Sequence, residues 1–213
     1  VPWCIMTSPL NHESTVAFFD QHHHFGLDSS TVHFFTQGVM PSVDRESGKV
    51  LLAAADAIAF NPDGHGGTLR ALASSGVLST LRSQGIEHLS YFQVDNPLVR
   101  ALDPVFLGLH TGDSVSSGEV TSKAVAKRSA DEKVGVFGVQ DGQLTVLEYS
   151  DLDPAVCEAT DGHGKLKFRA GNMAVHVFGL DFLDRLTKGT GLPFHRAIKK
   201  VPFFDESTGT VQN

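Results

Sequence analysis

The feature that most constrains this chain is the rhythm of its apolar segments. Each is short, and strand-type and helix-type runs alternate along the first half. Pro2 to Met6 reads as a buried strand closed by the turn signal Thr7-Ser8-Pro9. A helical face starts at Asn11 to Glu13, runs through Val16, Phe18, Phe19 and His23, and stops at Phe25-Gly26-Leu27. Val32 to Phe35 is a second strand, and Gly48 to Leu52 with Ala57 to Phe60 form a strand pair. Leu69, Leu72 and Ala73 open a helix that continues through Gly76 to Leu81. His88 to Val94 is a strand, and Val105 to His110 a helical segment. The second half reads as hairpins. Val120 to Val125 and Val134 to Val139 are strands, Gln140-Asp141-Gly142-Gln143 is a turn returning through Leu144 to Tyr149, and Lys167 to Val177 is a strand interrupted at Ala170-Gly171-Asn172. Phe178 to Leu186 closes as a short helix. This alternation predicts an α/β fold with a mixed sheet. No Pro- or Ser-rich linker divides it, so residues 1–213 read as a single domain.

A chain of 213 residues buries about 70% of its unfolded surface without needing a disulfide or metal staple. Hydrophobic residues at 41% and charged residues at 19% exclude disorder as the main state. The net charge is −7 and no basic block occurs, so nucleic acid and anionic membranes are not expected partners. No apolar run approaches the ~18 residues of a membrane span. The two cysteines, Cys4 and Cys157, form no C-x-x-C, which points to reduced thiols in a cytoplasmic protein. The chain opens at Val1 almost directly inside a strand and reads as a piece of a longer protein.

Four places invite chemistry. Pro62-Asp63-Gly64-His65-Gly66-Gly67 leads into a helix. Its glycines allow close approach of a ligand to the backbone, and a loop at a helix N-terminus aims N–H groups at an anion or a base edge. A plain helix-opening turn explains the same residues. The loop lacks the Gly-Lys-Ser/Thr of a P-loop and the spacing of the dinucleotide fingerprint. Val94-Asp95-Asn96-Pro97 ends an apolar strand, where open α/β sheets bind ligands and where one carboxylate suffices for phosphate-bound Mg²⁺. A turn-forming Asp-Asn-Pro after a strand accounts for the same residues. Ala170-Gly171-Asn172 is either a structural bulge or a place where an amide meets a sugar hydroxyl. Glu148, at the end of a hairpin strand, is equally open. Lys123 alternates with polar residues and is expected in solvent. His22-His23-His24 point in different directions on a helix and suit a solvated helix end better than a metal. The repeated Asp-Gly-His-Gly at 161–164 is a turn. No G-x-S-x-G nucleophile elbow is present, and Cys157 reads as an inert thiol.

Taken in order, Ile5-Met6-Thr7-Ser8, Phe25-Gly26-Leu27, Phe34-Phe35-Thr36-Gln37-Gly38, Pro62-Asp63-Gly64-His65-Gly66-Gly67, Val94-Asp95-Asn96, Val134-Gly135-Val136, Glu148-Tyr149-Ser150, Ala170-Gly171-Asn172 and Lys199-Lys200-Val201-Pro202 resemble the eukaryotic-type UDP-sugar pyrophosphorylases, on the N-acetylglucosamine side of that family. The resemblance implies a Rossmann-like nucleotidyltransferase fold whose N-terminal part is missing. It also implies the joining of UTP and a sugar 1-phosphate, N-acetylglucosamine 1-phosphate first, to give a UDP-sugar and pyrophosphate. By the resemblance, Gln37 and Gly64 contact uracil, and His65 and Gly66 lie beside the nucleotide. Asp95 holds Mg²⁺, and Gly135, Glu148 and Asn172 line the sugar pocket. Two departures stand out. His65 replaces the Asn usual in the N-acetylglucosamine enzymes, which leaves glucose 1-phosphate and other hexose 1-phosphates open. The triphosphate-holding Gly-Gly-x-Gly-Thr-Arg-Leu-Gly does not occur in these residues. The fragment alone is therefore expected to be inactive or nearly so, and a non-catalytic UDP-sugar binding module is the alternative.

Overall fold

The computed structural model describes residues 1–189, 192 and 198–212. Their contacts gather into two compact units, Val1–Ile86 with Leu183–Asn213, and Glu87–Phe182. The sequence alone shows no break at either boundary.

The first unit opens with strand β1 (Trp3–Thr7), helix α1 (His12–Gln21) and strand β2 (Val32–Thr36). β1 and β2 pair in parallel, Trp3 opposite Val32 and Thr7 opposite Thr36. A parallel pair needs a crossover, and α1 supplies it. Phe19 of α1 sets its ring edge-on to Phe34 of β2 at 5.1 Å. The helix ends where His23, His24, Phe25 and Gly26 turn left-handed, with φ of 51°, 50°, 53° and 81°. His22 is left stacked on Phe25 and His24 beside Asp20, so the three histidines do not converge.

Next come strands β3 (Val39–Pro41), β4 (Leu52–Ala54), β5 (Ala57–Ile58) and β6 (Phe60–Pro62). β4 and β5 pair antiparallel, but the first strand is shifted from the expected Gly48–Leu52 to Leu52–Ala54, and Phe60 pairs with β3 instead. β3 pairs antiparallel with β6, and Asn61 of β6 donates its side-chain amide to the Ser42 hydroxyl. Helices α2 (Gly67–Ser74) and α3 (Val77–Ser83) follow. The periodicity predicts one helix through Gly76, but Gly76 sits at φ +81° and divides it in two. Both halves still bury their apolar faces: Thr68, Ala71 and Leu72 on α2, and Val77, Leu78 and Leu81 on α3.

The second unit holds β7 (His88–Tyr91), α4 (Pro104–Thr111), β8 (Val120–Ala126), β9 (Val136–Gln140), β10 (Gln143–Leu147), α5 (Pro154–Glu158) and β11 (Ala170–Gly179). β7 stops three residues before the expected end, and Val94 lies fully exposed. β11 is the axis of a five-stranded antiparallel sheet. β8 lies along one edge of it, while β7 and the β9–β10 hairpin share the other. Val175 and Val177 of β11 bury against Phe106 of α4, which forms this unit's core. Asp103 caps α4, accepting from the Val105 N–H at 3.1 Å, and Pro104 fits the first turn, where no N–H is needed.

Helix α6 (Leu180–Lys188) leads back into the first unit, where β12 (Phe203–Asp205) and β13 (Thr210–Gln212) complete a sheet ordered β13-β12-β4-β5. The molecule thus combines a parallel pair with antiparallel sheets flanked by helices, the mixed α/β arrangement expected. No helix among the described residues is long and apolar enough to cross a membrane.

Candidate functional site

The sequence-predicted residues fall into two clusters, one in each unit, with Asp95 on a loop of the second.

In the first unit, Gln37 directly follows β2, and its N–H donates to the Thr7 carbonyl at 2.8 Å. The next residue, Gly38, accepts from the Asp63 N–H at 3.1 Å. With β3 paired to β6, this places the Gln37–Gly38 segment alongside the loop that contains Gly64, His65 and Gly66. Gly64 has φ +80°, a left-handed conformation that makes glycine the natural residue there.

The sequence reading leaves open whether this loop aims free N–H groups at an anion. The Gly67 N–H donates to the Gly64 carbonyl and the Thr68 N–H to the His65 carbonyl, both at 3.1 Å. The first donors of α2 are therefore occupied. The carboxylate beside that helix start is the protein's own Asp63, since a Cβ added to Gly67 or Gly38 would land on it. The Gly67 and Thr68 donors are thus not free for a phosphate in the manner of a P-loop.

The second cluster forms where β11 is irregular. The Asn172 N–H donates to the Gly135 carbonyl at 2.7 Å. A Cβ at Gly135 would meet Val146 Cγ1 at 3.0 Å and both Glu148 carboxylate oxygens at 3.5 Å. Gly135, Glu148 and Asn172 are thus neighbours, although they come from three separate stretches of chain. The pairing of β11 with β8 slips between Asn172 and His176. Within the slip, Ala174 adopts φ +52°, and Asn172 Oδ1 accepts its N–H at 3.0 Å. Because the backbone N–H is the donor, the facing atom must be Oδ1. The amide Nδ2 then remains to donate elsewhere.

Asp95 lies on an exposed turn beyond β7, beside the Asn96 N–H to Gln93 carbonyl bond of 3.2 Å. No cluster of three or more His, Cys, Asp or Glu side chains arranged to hold a metal occurs among the described residues. A lone accessible carboxylate suits Mg²⁺, which takes one or two carboxylates and fills its shell with phosphate oxygens and water.

Lys123 corrects its sequence reading. It is not turned out to solvent: its Nζ donates to Asp103 at 2.7 Å and lies 4.9 Å above the Phe106 ring. That bond is the largest influence holding the Asp103 carboxyl below its usual range. Asp103, Val105, Phe106, Leu109, Thr121, Ser122 and Lys123 line a shallow open groove. Two histidines of the second unit also escaped the sequence reading. His110, fully buried, shares a hydrogen bond of 2.8 Å with Thr121 and meets the His88 ring edge-on at 5.0 Å. Burial, then the neighbouring His88, push His110 below the ordinary imidazole range. Only the apolar setting of their segments could have marked them. The second Asp-Gly-His-Gly is a turn as expected, with Asp161 accepting from the His163 and Lys165 N–H groups at 2.9 and 3.0 Å.

The family model described as UTP–glucose-1-phosphate uridylyltransferase matches residues 1–212. The Arabidopsis thaliana protein UDP-N-acetylglucosamine diphosphorylase 2 is 40% identical over 207 residues, covering 95% of this chain and 40% of its own length. A solved structure from Entamoeba histolytica superposes on 99% of this chain and 51% of its own, with a TM-score of 0.83 and 32% identity. The solved uridine diphosphate N-acetylglucosamine pyrophosphorylase from Trypanosoma brucei aligns with 88% of this chain and 37% of its own, with a TM-score of 0.78 and 30% identity. The chain spans about two fifths of the length of the curated relatives it matches.

Proposed function

The chain belongs to the UTP–glucose-1-phosphate uridylyltransferase family, and from that premise we propose that it carries the uridine- and sugar-reading parts of an enzyme that joins UTP to N-acetylglucosamine 1-phosphate. A phosphate oxygen of the sugar 1-phosphate attacks the α-phosphorus of UTP in line. The new O–P bond forms as the bond to the β-phosphate bridging oxygen breaks, and pyrophosphate leaves. No covalent enzyme intermediate is needed, so catalysis consists of positioning two anions and balancing their charge.

In this reading the Gln37 side chain and the Gly64 backbone hold the uracil, with His65 and Gly66 alongside. Gly135 leaves room for the sugar, which Glu148 and the Asn172 Nδ2 hydrogen bond. Asp95 would hold Mg²⁺, which when bound offsets the negative charge of the phosphates. The protein works in the cytoplasm, where its two unpaired cysteines stay reduced.

The observation that carries the reading is the meeting of Gly135, Glu148 and Asn172 in a chain whose relatives are named for N-acetylglucosamine. The family description names glucose 1-phosphate instead, so the sugar itself needs a test. These residues lack the Gly-Gly-x-Gly-Thr-Arg stretch, which makes binding the suitable readout. Calorimetric titration with UDP-N-acetylglucosamine and UDP-glucose, with and without Mg²⁺, should give tighter binding of the former. Preference for UDP-glucose would reassign the sugar, and no heat from either at millimolar ligand would overturn the reading for this chain.

A further inference from the structure

We propose that Asp63 is the positioning residue of the pyrimidine pocket, a wedge that fixes the Gln37–Gly38 segment against the glycine loop. The inference rests on the uridylyltransferase reading of that loop and adds a residue to it.

Three observations carry it. First, the carboxylate fills the space where both Gly38 and Gly67 would otherwise carry a Cβ. Two separate backbone segments therefore close upon one side chain at a distance only glycine permits. Second, Asp63 Oδ1 is buried and has no hydrogen-bond partner, as does Thr68 Oγ1 on the first turn of α2. A buried carboxylate oxygen without a donor costs stability, so its contribution there is not the making of a hydrogen bond. Third, the backbone of the same residue bonds across to Gly38, so main chain and side chain hold the same junction.

Gln37 lies on one side of that junction and Gly64 on the other. Both are held by backbone hydrogen bonds, Gln37 to Thr7 and Gly64 to Gly67. A shift of the junction changes the spacing between them, and a flat heterocycle held from two sides tolerates little change in spacing. Asp63 thus acts through Gln37 and Gly64, and it need not touch the base.

The test is the Kd for UMP at a temperature well below melting, in the unaltered chain and in Asp63→Ala, Asp63→Asn and Gly38→Ala. At such a temperature a residue that only adds stability shifts Tm and leaves Kd unchanged. The expected result is UMP binding weakened about tenfold in Asp63→Ala, the size of one lost well-placed contact. Asp63→Asn keeps the shape and should bind within about threefold of the unaltered chain, at equal or higher Tm, because a neutral amide is less costly to bury. Gly38→Ala displaces the wedge without removing it and should also lose about tenfold. It carries the test alone if Asp63→Ala does not fold. Equal UMP binding in Asp63→Ala, or in Gly38→Ala, overturns the inference while leaving the family reading intact. No UMP binding in the unaltered chain overturns the uridylyltransferase reading, and this inference with it.

Discussion

Asn172 joins two roles that a pair of substitutions can separate. Its Oδ1 accepts the Ala174 N–H at 3.0 Å inside the bulge of β11, and its own N–H donates to Gly135. Asn172→Ala removes the side-chain acceptor and leaves a part-buried N–H unpaired at a residue already held at φ +52°. The cost should be about 1–2 kcal/mol, or a fall in Tm of roughly 2–8 °C for a chain of this size. Asn172→Asp keeps an acceptor facing Ala174 and leaves the bulge intact. It replaces the Nδ2 donor with a negatively charged oxygen, pointed where the proposed sugar and its phosphates bind. Losing that donor and adding the repulsion should weaken UDP-N-acetylglucosamine binding by about 2–3 kcal/mol, roughly 30- to 150-fold. Calorimetric Kd values and melting curves on the three proteins decide the matter. The expected pattern is Asp with near-normal Tm and poor binding, and Ala with both lowered. Normal affinity in Asn172→Asp would refute the assignment of Nδ2 to the ligand.

Other expectations follow from the same geometry. Gly135→Ala puts a methyl 3.0 Å from Val146 and 3.5 Å from the Glu148 oxygens. It should cost about 1–3 kcal/mol in denaturant unfolding and weaken sugar-nucleotide binding more than UMP binding, and equal effects on both ligands would place Glu148 outside the sugar site. The Lys123 hydrogen bond, first among its causes, holds the Asp103 carboxyl below the usual carboxylate range. Its contribution is therefore present above the unfolded pKa and is lost as pH falls through the lower folded value. Denaturation followed from pH 5 down to pH 2 should show a steeper loss of stability in the unaltered chain than in Lys123→Met, and identical slopes would contradict that pairing. Burial pushes the Cys4 thiol up to about 11. At pH 8 its alkylation by iodoacetamide, read by peptide mass spectrometry, should be far slower than that of glutathione in the same tube, and comparable rates would show that Cys4 is open to solvent.

How much was legible in the sequence depended on how local the cause was. β1, α1 and β2 follow from apolar runs bounded by Thr7-Ser8-Pro9 and Phe25-Gly26-Leu27, signals that lie within a few residues of the ends they set. The break at Gly76 was hidden because apolar spacing continues on both sides of it, and periodicity carries no information about φ. β3, β12 and β13 have three residues each, too few for alternation to register, and they exist through their partners. Lys123 was misread because alternation gives a face and not what covers it, and Asp103 and Phe106 of another segment cover that face.

The candidate site divides in the same way. Gly64, Gly135 and Asn172 could be named because the ordered motifs resemble a family, yet their physical roles come from contacts between distant stretches. Asn172 meets Gly135 because β11 pairs with β9 there, Gly171 opposite Val136, and Glu148 reaches them through the return of the β9–β10 hairpin. Asp63 had a signal in plain view, a carboxylate heading a run rich in glycine. Its position between Gly38 and Gly67 needed the pairing of β3 with β6, two strands that the sequence does not announce.

The most direct test of the account is the amide spectrum of the isotopically labelled chain, 22.9 kDa in mass, titrated first with UMP and then with UDP-N-acetylglucosamine. The account predicts that UMP moves the resonances of Gln37, Gly38 and Gly64 to Gly67 and leaves Gly135, Glu148 and Asn172 in place. The sugar nucleotide should then move both sets. Shifts confined to residues outside these two clusters, or no shifts at millimolar ligand, would contradict the assignment of uridine to the glycine loop and of the sugar to the β11 bulge.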